Sequence, residues 1–159
     1  MITYSASAAD KISYQQESLV SCKSDAEPLL EKHWEEIALN KDKIKLNPDW
    51  DAYANLEDAG ILKIFTARDE SKLVGYFVVF VNRHIHYKDH LFAYNDILFL
   101  DADYRKGFTG PKLMKFAEKC LKEDGVTAVV VNTKRHKPFD VLLKWLGYKH
   151  IENLYSKVL

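Results

Sequence analysis

The pattern of apolar and polar residues predicts a chain in which strands and helices alternate. Short apolar or alternating runs indicate strands, and apolar residues three and four positions apart indicate amphipathic helices. In chain order the predicted elements are a strand over 12–21, a helix from Ser24 or Asp25 to about Asn40, a short helix over 48–60, strands over 61–68, 73–81 and 91–100, a helix over 112–124, a strand over 127–131, a short helix over 138–146, and strands within 148–159.

Two features of this pattern predict the sheet. The run 73–81 is apolar on both faces, which is typical of a central strand, whereas the polar stretch 82–90 indicates a loop. The strand, loop, helix and strand over 91–131 form a unit that predicts a parallel crossover. Without a repeat or a linker, residues 1–159 are predicted to form one α/β domain with a mixed sheet.

Composition excludes several classes of protein. The chain has 159 residues, 47% of them hydrophobic and 29% charged, which argues against a collagen-like or wholly disordered chain. Because 23 basic residues balance 23 acidic ones, no nucleic-acid or membrane partner is expected. We find no apolar run of signal-peptide or transmembrane length, and Cys22 and Cys120 match no disulfide or metal spacing. These features favour the cytoplasm.

The charges are unevenly distributed. The first 100 residues hold 11 Lys and Arg against 16 Asp and Glu, and the last 59 hold 12 against 7. Residues 25–58 contain ten acidic residues and four lysines, and this excess of negative charge could attract a cationic amine. Solvated helix faces of either sign explain the same counts, so both interpretations stay open.

The segment 95–111 carries the most specific chemical signal. A strand leads into a loop with Arg105, Lys106, Gly107 and Gly110, and that loop opens a helix. The first turn of a helix offers unpaired amide groups and a partial positive charge, which suit a phosphate or pyrophosphate. A solvated basic loop is the alternative interpretation.

Tyr104-Arg105 followed by Gly107 and Gly110, together with the order of elements, resembles the acyl-CoA loop of the GNAT family of N-acetyltransferases. The run Trp145-Leu146-Gly147-Tyr148 is similar to that family's ending of the last helix. The resemblance covers nearly the whole chain and implies a mixed, mostly antiparallel sheet flanked by helices, with a splayed parallel strand pair that holds acyl-CoA. The pattern is also similar to small acetyltransferases of bacteriophage genomes, which would place the protein in a host cytoplasm.

The chain departs from the family pattern at four positions. Phe108 occupies the middle glycine position of the loop, Gly107 stands one place earlier, and Phe108 needs an ordinary backbone φ there. His136 and Leu143 stand where the family often has an asparagine and a tyrosine that serves as general acid. These departures affect the catalytic assignment more than the fold.

The resemblance implies a set of site residues. Acetyl-CoA would be held along the strand and by the loop, through Leu98, Phe99, Leu100, Arg105, Lys106, Gly107, Phe108, Thr109 and Gly110. Asp96 is the candidate base, because a carboxylate in an apolar strand needs a partner or a cavity; a structural hydrogen-bond role is the alternative. Tyr155 is the candidate acid. His33 and Glu36 would line the acceptor side, although ordinary helix packing explains His33 as well.

The sequence leaves several functions open. The leading prediction is an acetyl-CoA-dependent N-acetyltransferase that acts by direct attack of a primary amine, on a small molecule or a protein. The alternatives are a catalytically degenerate acyl-CoA-binding or protein-interaction module of the same fold, and a phosphate-binding module without a P-loop signature. His84, His86 and His90 lack the ligand set of a metal site, so no metal is expected. A homodimer is left open.

Overall fold

A computed structural model describes residues 11–159, so the first ten residues of the predicted domain lie outside it. The elements in chain order are β1 (Ile12–Glu17), α1 (Leu19–Ile37), α2 (Trp50–Asp58), β2 (Leu62–Asp69), β3 (Lys72–His84), β4 (Tyr87–Leu100), a short 3-10 turn (Ala102–Tyr104), α3 (Thr109–Glu123), β5 (Val126–Val130) and α4 (Asp140–Trp145).

The five strands form one sheet in the order β1-β2-β3-β4-β5. The first three pairs are antiparallel, and β4 and β5 are parallel, because α3 carries the chain back across the sheet between them. The predicted mixed, mostly antiparallel sheet is confirmed, and so is the central position of β3, which is buried over most of its length.

Helices cover both faces of the sheet and bury two apolar clusters. On one face α1 and α2 pack over residues such as Tyr76, Val78 and Phe99. On the other face α3 buries Leu113, Ala117 and Leu121 against β2, β3 and β4, as its periodicity predicted. No helix in residues 11–159 is both long enough and apolar enough to cross a membrane.

The predicted start of the first helix at Ser24 or Asp25 is wrong. Ser18 is the N-cap, and its hydroxyl accepts a hydrogen bond from the amide of Ser21. Burial of Leu19 and Cys22 against the sheet stabilises the added residues at the helix start, so Pro28 lies inside the helix rather than in its first turn.

Two further predictions are corrected. The stretch 82–90 is not a loop, since β3 and β4 continue as a long hairpin with a tight turn after His84. The rings of His84, Tyr87 and Phe92 contact one another there and support pairing of otherwise polar residues. Residues 148–159 contain no strand, and residues 149–159 are exposed.

Candidate active site

The parallel strands β4 and β5 separate part of the way along the sheet. Their pairing ends at Tyr94 and Val130, while β4 continues to Leu100 without β5 beside it. At this fork the side-chain oxygen of Asn95 accepts a hydrogen bond of 2.6 Å from the amide of Asn132. The fork therefore leaves a gap along 95–100, where backbone groups that face away from β3 have no strand partner within the described chain.

A β-bulge sets the direction of Asp96. Val78 lies opposite Ile97 and Val79 lies opposite Asn95, so Asp96 is the unpaired extra residue. Ala93 and Leu98 both pack in the cluster beneath α3 although they are five positions apart, which strict alternation forbids. The extra residue resolves this conflict and turns Asp96 toward α2.

Asp96 accepts a short hydrogen bond from the hydroxyl of Tyr53 on α2. Burial raises the pKa of Asp96 above its usual range, and the hydrogen bond from Tyr53 offsets part of that rise. Burial and the neighbouring carboxylate raise the pKa of Tyr53, so this phenol stays protonated at neutral pH. A half-buried carboxylate with a raised pKa is a better base than an exposed one. Tyr53 was not predicted, because only the fold brings α2 to the bulge.

His33 lies deep between α1 and the sheet. It is 4% exposed, its Nδ1 lies 2.9 Å from the hydroxyl of Tyr76, and its ring stacks on Phe99 at 4.7 Å. Burial lowers the pKa of His33 to about 4, and the charges of Arg105 and Lys134 act in the same direction. The imidazole is therefore neutral at pH 7. His33 thus packs against Tyr76 and Phe99, as the packing interpretation expects. Its contact with an acceptor stays a prediction.

Arg105 ties the loop after β4 to α1. Its guanidinium makes two hydrogen bonds of 2.7 Å with the carboxylate of Glu36, and its Nε donates to the carbonyl of Leu100 at 2.8 Å. The guanidinium also lies over the ring of Phe99, 5.1 Å from its centre. The predicted phosphate ligand and the predicted acceptor-side carboxylate are thus in direct contact, and the Arg105 bonds hold the pKa of Glu36 below its usual value.

The loop ends at an uncapped helix start. Phe108 is the N-cap of α3, with an ordinary φ of −108° as predicted, and its side chain makes no capping bond. Within residues 11–159 the amides of Thr109 and Gly110 have no acceptor, as expected in the first turn of a helix. Gly107 has a φ of +94°, so the turn before the helix favours glycine there. Lys106 is exposed on this turn.

The segment after β5 adds cations that sequence reasoning missed. The charge of Lys134 acts on His33 and that of Lys137 acts on Glu36, so both lysines lie near the C-terminal end of α1. Their signal in the sequence is the basic run Lys134-Arg135-His136-Lys137, just beyond the strand that leaves the fork. Together with Arg105 they put positive charge around His33 and Glu36 of α1.

The side chains of Leu98 and Leu100 pack toward α3, while that of Phe99 packs toward α1. Only the backbone of these three predicted acetyl-CoA contacts therefore borders the gap beside β4. Tyr155 is not brought to Asp96: it is 91% exposed, and its role as an acid stays a prediction. Leu143 is buried in α4, and Tyr148 donates its hydroxyl hydrogen to Glu118 of α3. No three His, Cys, Asp or Glu side chains in residues 11–159 converge as metal ligands.

No protein-family model matches the sequence, and neither does any curated protein. Solved structures share the fold. An aminoglycoside acetyltransferase from an uncultured soil metagenomic sample, solved with sisomicin, has a TM-score of 0.72 at 17% identity, with 94% of this chain and 98% of that chain covered. A predicted acetyltransferase from Clostridium acetobutylicum, solved with acetyl-CoA, has a TM-score of 0.69 at 10% identity, with 92% and 96% covered.

The same fold also occurs in a transcriptional regulator from Bacillus halodurans, with a TM-score of 0.75 at 15% identity and with 93% of this chain and 99% of that chain covered. At such identities a likeness in structure establishes the fold alone. The activity has to be inferred from the residues of the site. The chain therefore has the fold of the GNAT acetyltransferases.

Proposed function

We propose that the protein transfers an acetyl group from acetyl-CoA to a primary amine. The observation that carries this proposal is the fork between β4 and β5, which opens a gap with free backbone groups beside a basic loop and an uncapped helix start. A thioester with a peptide-like arm and a pyrophosphate matches those two features in order along the gap.

The residues present suit acetyl-CoA. Backbone groups of Leu98, Phe99 and Leu100 border the gap and can pair with the amides of the pantetheine arm. The free amides of Thr109 and Gly110 can donate hydrogen bonds to the pyrophosphate oxygens. Arg105 must exchange Glu36 for phosphate, or share the two, if it is to contribute directly.

The chemistry needs a neutral amine. An alkylamine is protonated at pH 7, with a pKa of about 10.4, and must lose a proton before it attacks. The amine nitrogen forms a bond to the thioester carbonyl carbon, the carbon–sulfur bond breaks, and the amine's protons pass to a base and to water. In this proposal Asp96 takes one proton, directly or through a water, and its turn away from the α3 core at the bulge supports that role.

The departing thiolate of CoA takes up a proton or accepts a hydrogen bond. Leu143 cannot supply either, which leaves Tyr155 as the proposed donor, in a conformation other than the exposed one described above. Tyr155→Phe should lower kcat, whereas Tyr148→Phe should not, since Tyr148 is engaged with Glu118. Equal rates for both variants would remove Tyr155 from the mechanism.

The acceptor side is formed by α1 and α2. His33 and Glu36 on α1, and Tyr53 on α2, border the region between the helices and the bulge. Since one protein of the same fold is an aminoglycoside acetyltransferase, aminoglycosides are one acceptor class to test, and protein amines are another. One domain, a cytoplasmic location and a bacteriophage origin remain predictions.

The alternative is a binding module without turnover. Phe108 at a glycine position and the absence of a tyrosine at Leu143 favour it, and so does the occurrence of this fold in a transcriptional regulator. Calorimetry with acetyl-CoA, CoA and ATP, followed by a turnover assay with a panel of amines, separates the functions. We expect micromolar acetyl-CoA binding and turnover. Binding without turnover supports the module, and preference for ATP would contradict both.

A further inference from the structure

A cavity of about 40 Å³ lies in the core between the helices α1 and α2 and the strands β2, β3 and β4. On the helix side α1 lines it with Leu19, Cys22, Ala26 and Leu30, and on the sheet side β4 contributes Ile97. A water-sized group needs roughly 10–15 Å³ of such space, so the cavity holds roughly three groups of that size.

The interior of this cavity is apolar. Three of its lining residues carry hydroxyl groups, and each hydroxyl has a partner that does not line the cavity. Tyr53 donates to Asp96, and Thr66 donates to Glu17. The third hydroxyl, of Tyr76, lies 2.9 Å from the buried histidine of α1. Because these hydroxyls are engaged and the rest of the lining is mostly hydrocarbon, the cavity suits an apolar group better than water.

One end of the cavity adjoins the proposed base. Tyr53 lines the cavity and also bonds Asp96, and Ile97 lines it and directly follows Asp96 in β4. In the proposed reaction the acyl carbonyl carbon lies beside the amine whose proton Asp96 takes. Carbons of the acyl group beyond the carbonyl then lie at this end of the cavity.

The α2 wall of the cavity is loosely held. It consists of Trp50 and Tyr53, and none of the nine residues of α2 is fully buried. An element with few buried side chains opens locally at low free-energy cost. A short hydrocarbon chain can therefore enter from the Asp96 end without unfolding the core.

We propose that this cavity binds the hydrocarbon chain of an acyl-CoA longer than acetyl-CoA, with the best fit at about four or five carbons. The bonds that change are those of acetyl transfer. The amine nitrogen bonds to the acyl carbonyl carbon, the carbon–sulfur bond breaks, CoA leaves as the thiolate, and the amine's protons pass to Asp96 and to water. The inference rests on the proposed function and names its acyl donor as a short-chain acyl-CoA.

The first measurement is calorimetry with acetyl-, butyryl-, hexanoyl- and decanoyl-CoA, followed by kcat/KM with one amine acceptor. Each buried methylene group strengthens binding by up to about fourfold, so butyryl-CoA should bind about tenfold more tightly than acetyl-CoA. Decanoyl-CoA should lose this advantage, because its chain exceeds the cavity. Equal affinities for acetyl- and butyryl-CoA would overturn the inference.

Variants of α1 test whether the cavity causes the preference. Ala26→Leu fills the cavity, so the affinity ratio of butyryl- to acetyl-CoA should fall toward one. Leu30→Ala enlarges it and should move the best chain to hexanoyl-CoA, which decides the question if Ala26→Leu does not fold. Val20→Ala, at a position 88% exposed on the same helix, should keep the original ratio. An unchanged chain preference in either folded cavity variant would overturn the inference.

The same measurements separate this inference from the proposed function. Acetyl-CoA binding and turnover without a chain preference would leave the proposed function standing and overturn the inference alone. A chain preference in binding without any turnover would support the cavity and contradict catalysis, whereas no binding of any acyl-CoA would contradict both. If Ala26→Leu changes the preference among alkylamine acceptors of different length instead, the cavity belongs to the acceptor and the inference is wrong.

Discussion

Tyr53 and Asp96 lie 43 residues apart in the sequence, and the phenol of the first donates a short hydrogen bond to the carboxylate of the second. The bond joins α2 to the bulge of β4, beside the fork between β4 and β5. It also sets the protonation of the proposed base, because the pKa of Asp96 reflects burial, which raises it, against this bond, which lowers it.

Replacing Tyr53 by Phe should shift the pH dependence of the reaction. Loss of the hydrogen bond removes the influence that lowers the pKa of Asp96, so the pKa rises further. Because the base must be deprotonated, the acidic limb of the kcat/KM profile should move to higher pH. Tyr148→Phe is the matched control, as that phenol is bonded to Glu118. An unshifted limb would separate Asp96 from the rate.

Arg105→Ala should weaken CoA binding by roughly 1–3 kcal/mol, the size of a charge-assisted hydrogen bond to phosphate. Binding of dephosphorylated pantetheine should hardly change. Arg83→Ala, on the exposed end of the β3–β4 hairpin, is the control. Calorimetry measures the affinity of the unchanged protein and of both variants for each ligand. Equal losses for CoA and pantetheine would show that Arg105 acts by fixing α1 through Glu36 and does not meet the pyrophosphate.

Gly110→Val should abolish CoA binding while the protein stays folded. A Cβ at Gly110 would meet the methyl groups of Leu100 and Leu142 at ordinary distances of 3.6 and 3.9 Å, so the fold tolerates a Cβ there. The branched side chain would narrow the space at the helix start where the pyrophosphate is proposed to bind. Gly107→Ala should cost about 1 kcal/mol of stability through its left-handed φ and affect CoA binding mildly. If Gly107→Ala is the more damaging for CoA, the loop assignment is off by one residue.

His33 should make the fold sensitive to mild acid. Its pKa falls from 6.5 to about 4 on folding, so the unfolded chain binds the proton more tightly and stability declines as pH falls from 6.5 toward 4. His33→Gln should reduce the loss of unfolding free energy between pH 7 and pH 5 by about 1–2 kcal/mol. Exposed His136→Gln is the control, measured by urea titration. Identical pH slopes would show that His33 is not buried as a neutral ring.

The order of elements and the sheet could be predicted because they depend on local patterns. The apolar run within β3 and the periodicity of α3 can each be recognised within a single element, and the structure contains both elements. The start of α1 could not be predicted, since the amide of Leu19 is held by the carboxylate of Glu57 on another helix. The strands predicted within 148–159 were wrong, because a strand-like composition is local, whereas a strand forms only where the fold supplies a partner strand.

The site was predictable only in part. The loop with Arg105 and Gly110 could be found from glycines and cations in order, and Asp96 from a lone acid in an apolar strand. The contact of Tyr53 with Asp96 depends on the bulge and on the packing of α2, and the contact of Arg105 with Glu36 depends on the packing of α1. Local sequence patterns predict neither strand register nor helix packing.

The most direct test of the account is the rate of acetyl transfer by Asp96→Asn beside the unchanged protein, with the affinity for CoA measured on the same samples. The amide keeps the size of the side chain and removes the base, so kcat should fall by about 10²–10⁴ with little change in the dissociation constant. The variant should be at least as stable at pH 7, because burial disfavours the charged carboxylate. A kcat within threefold of the original would contradict Asp96 as the base.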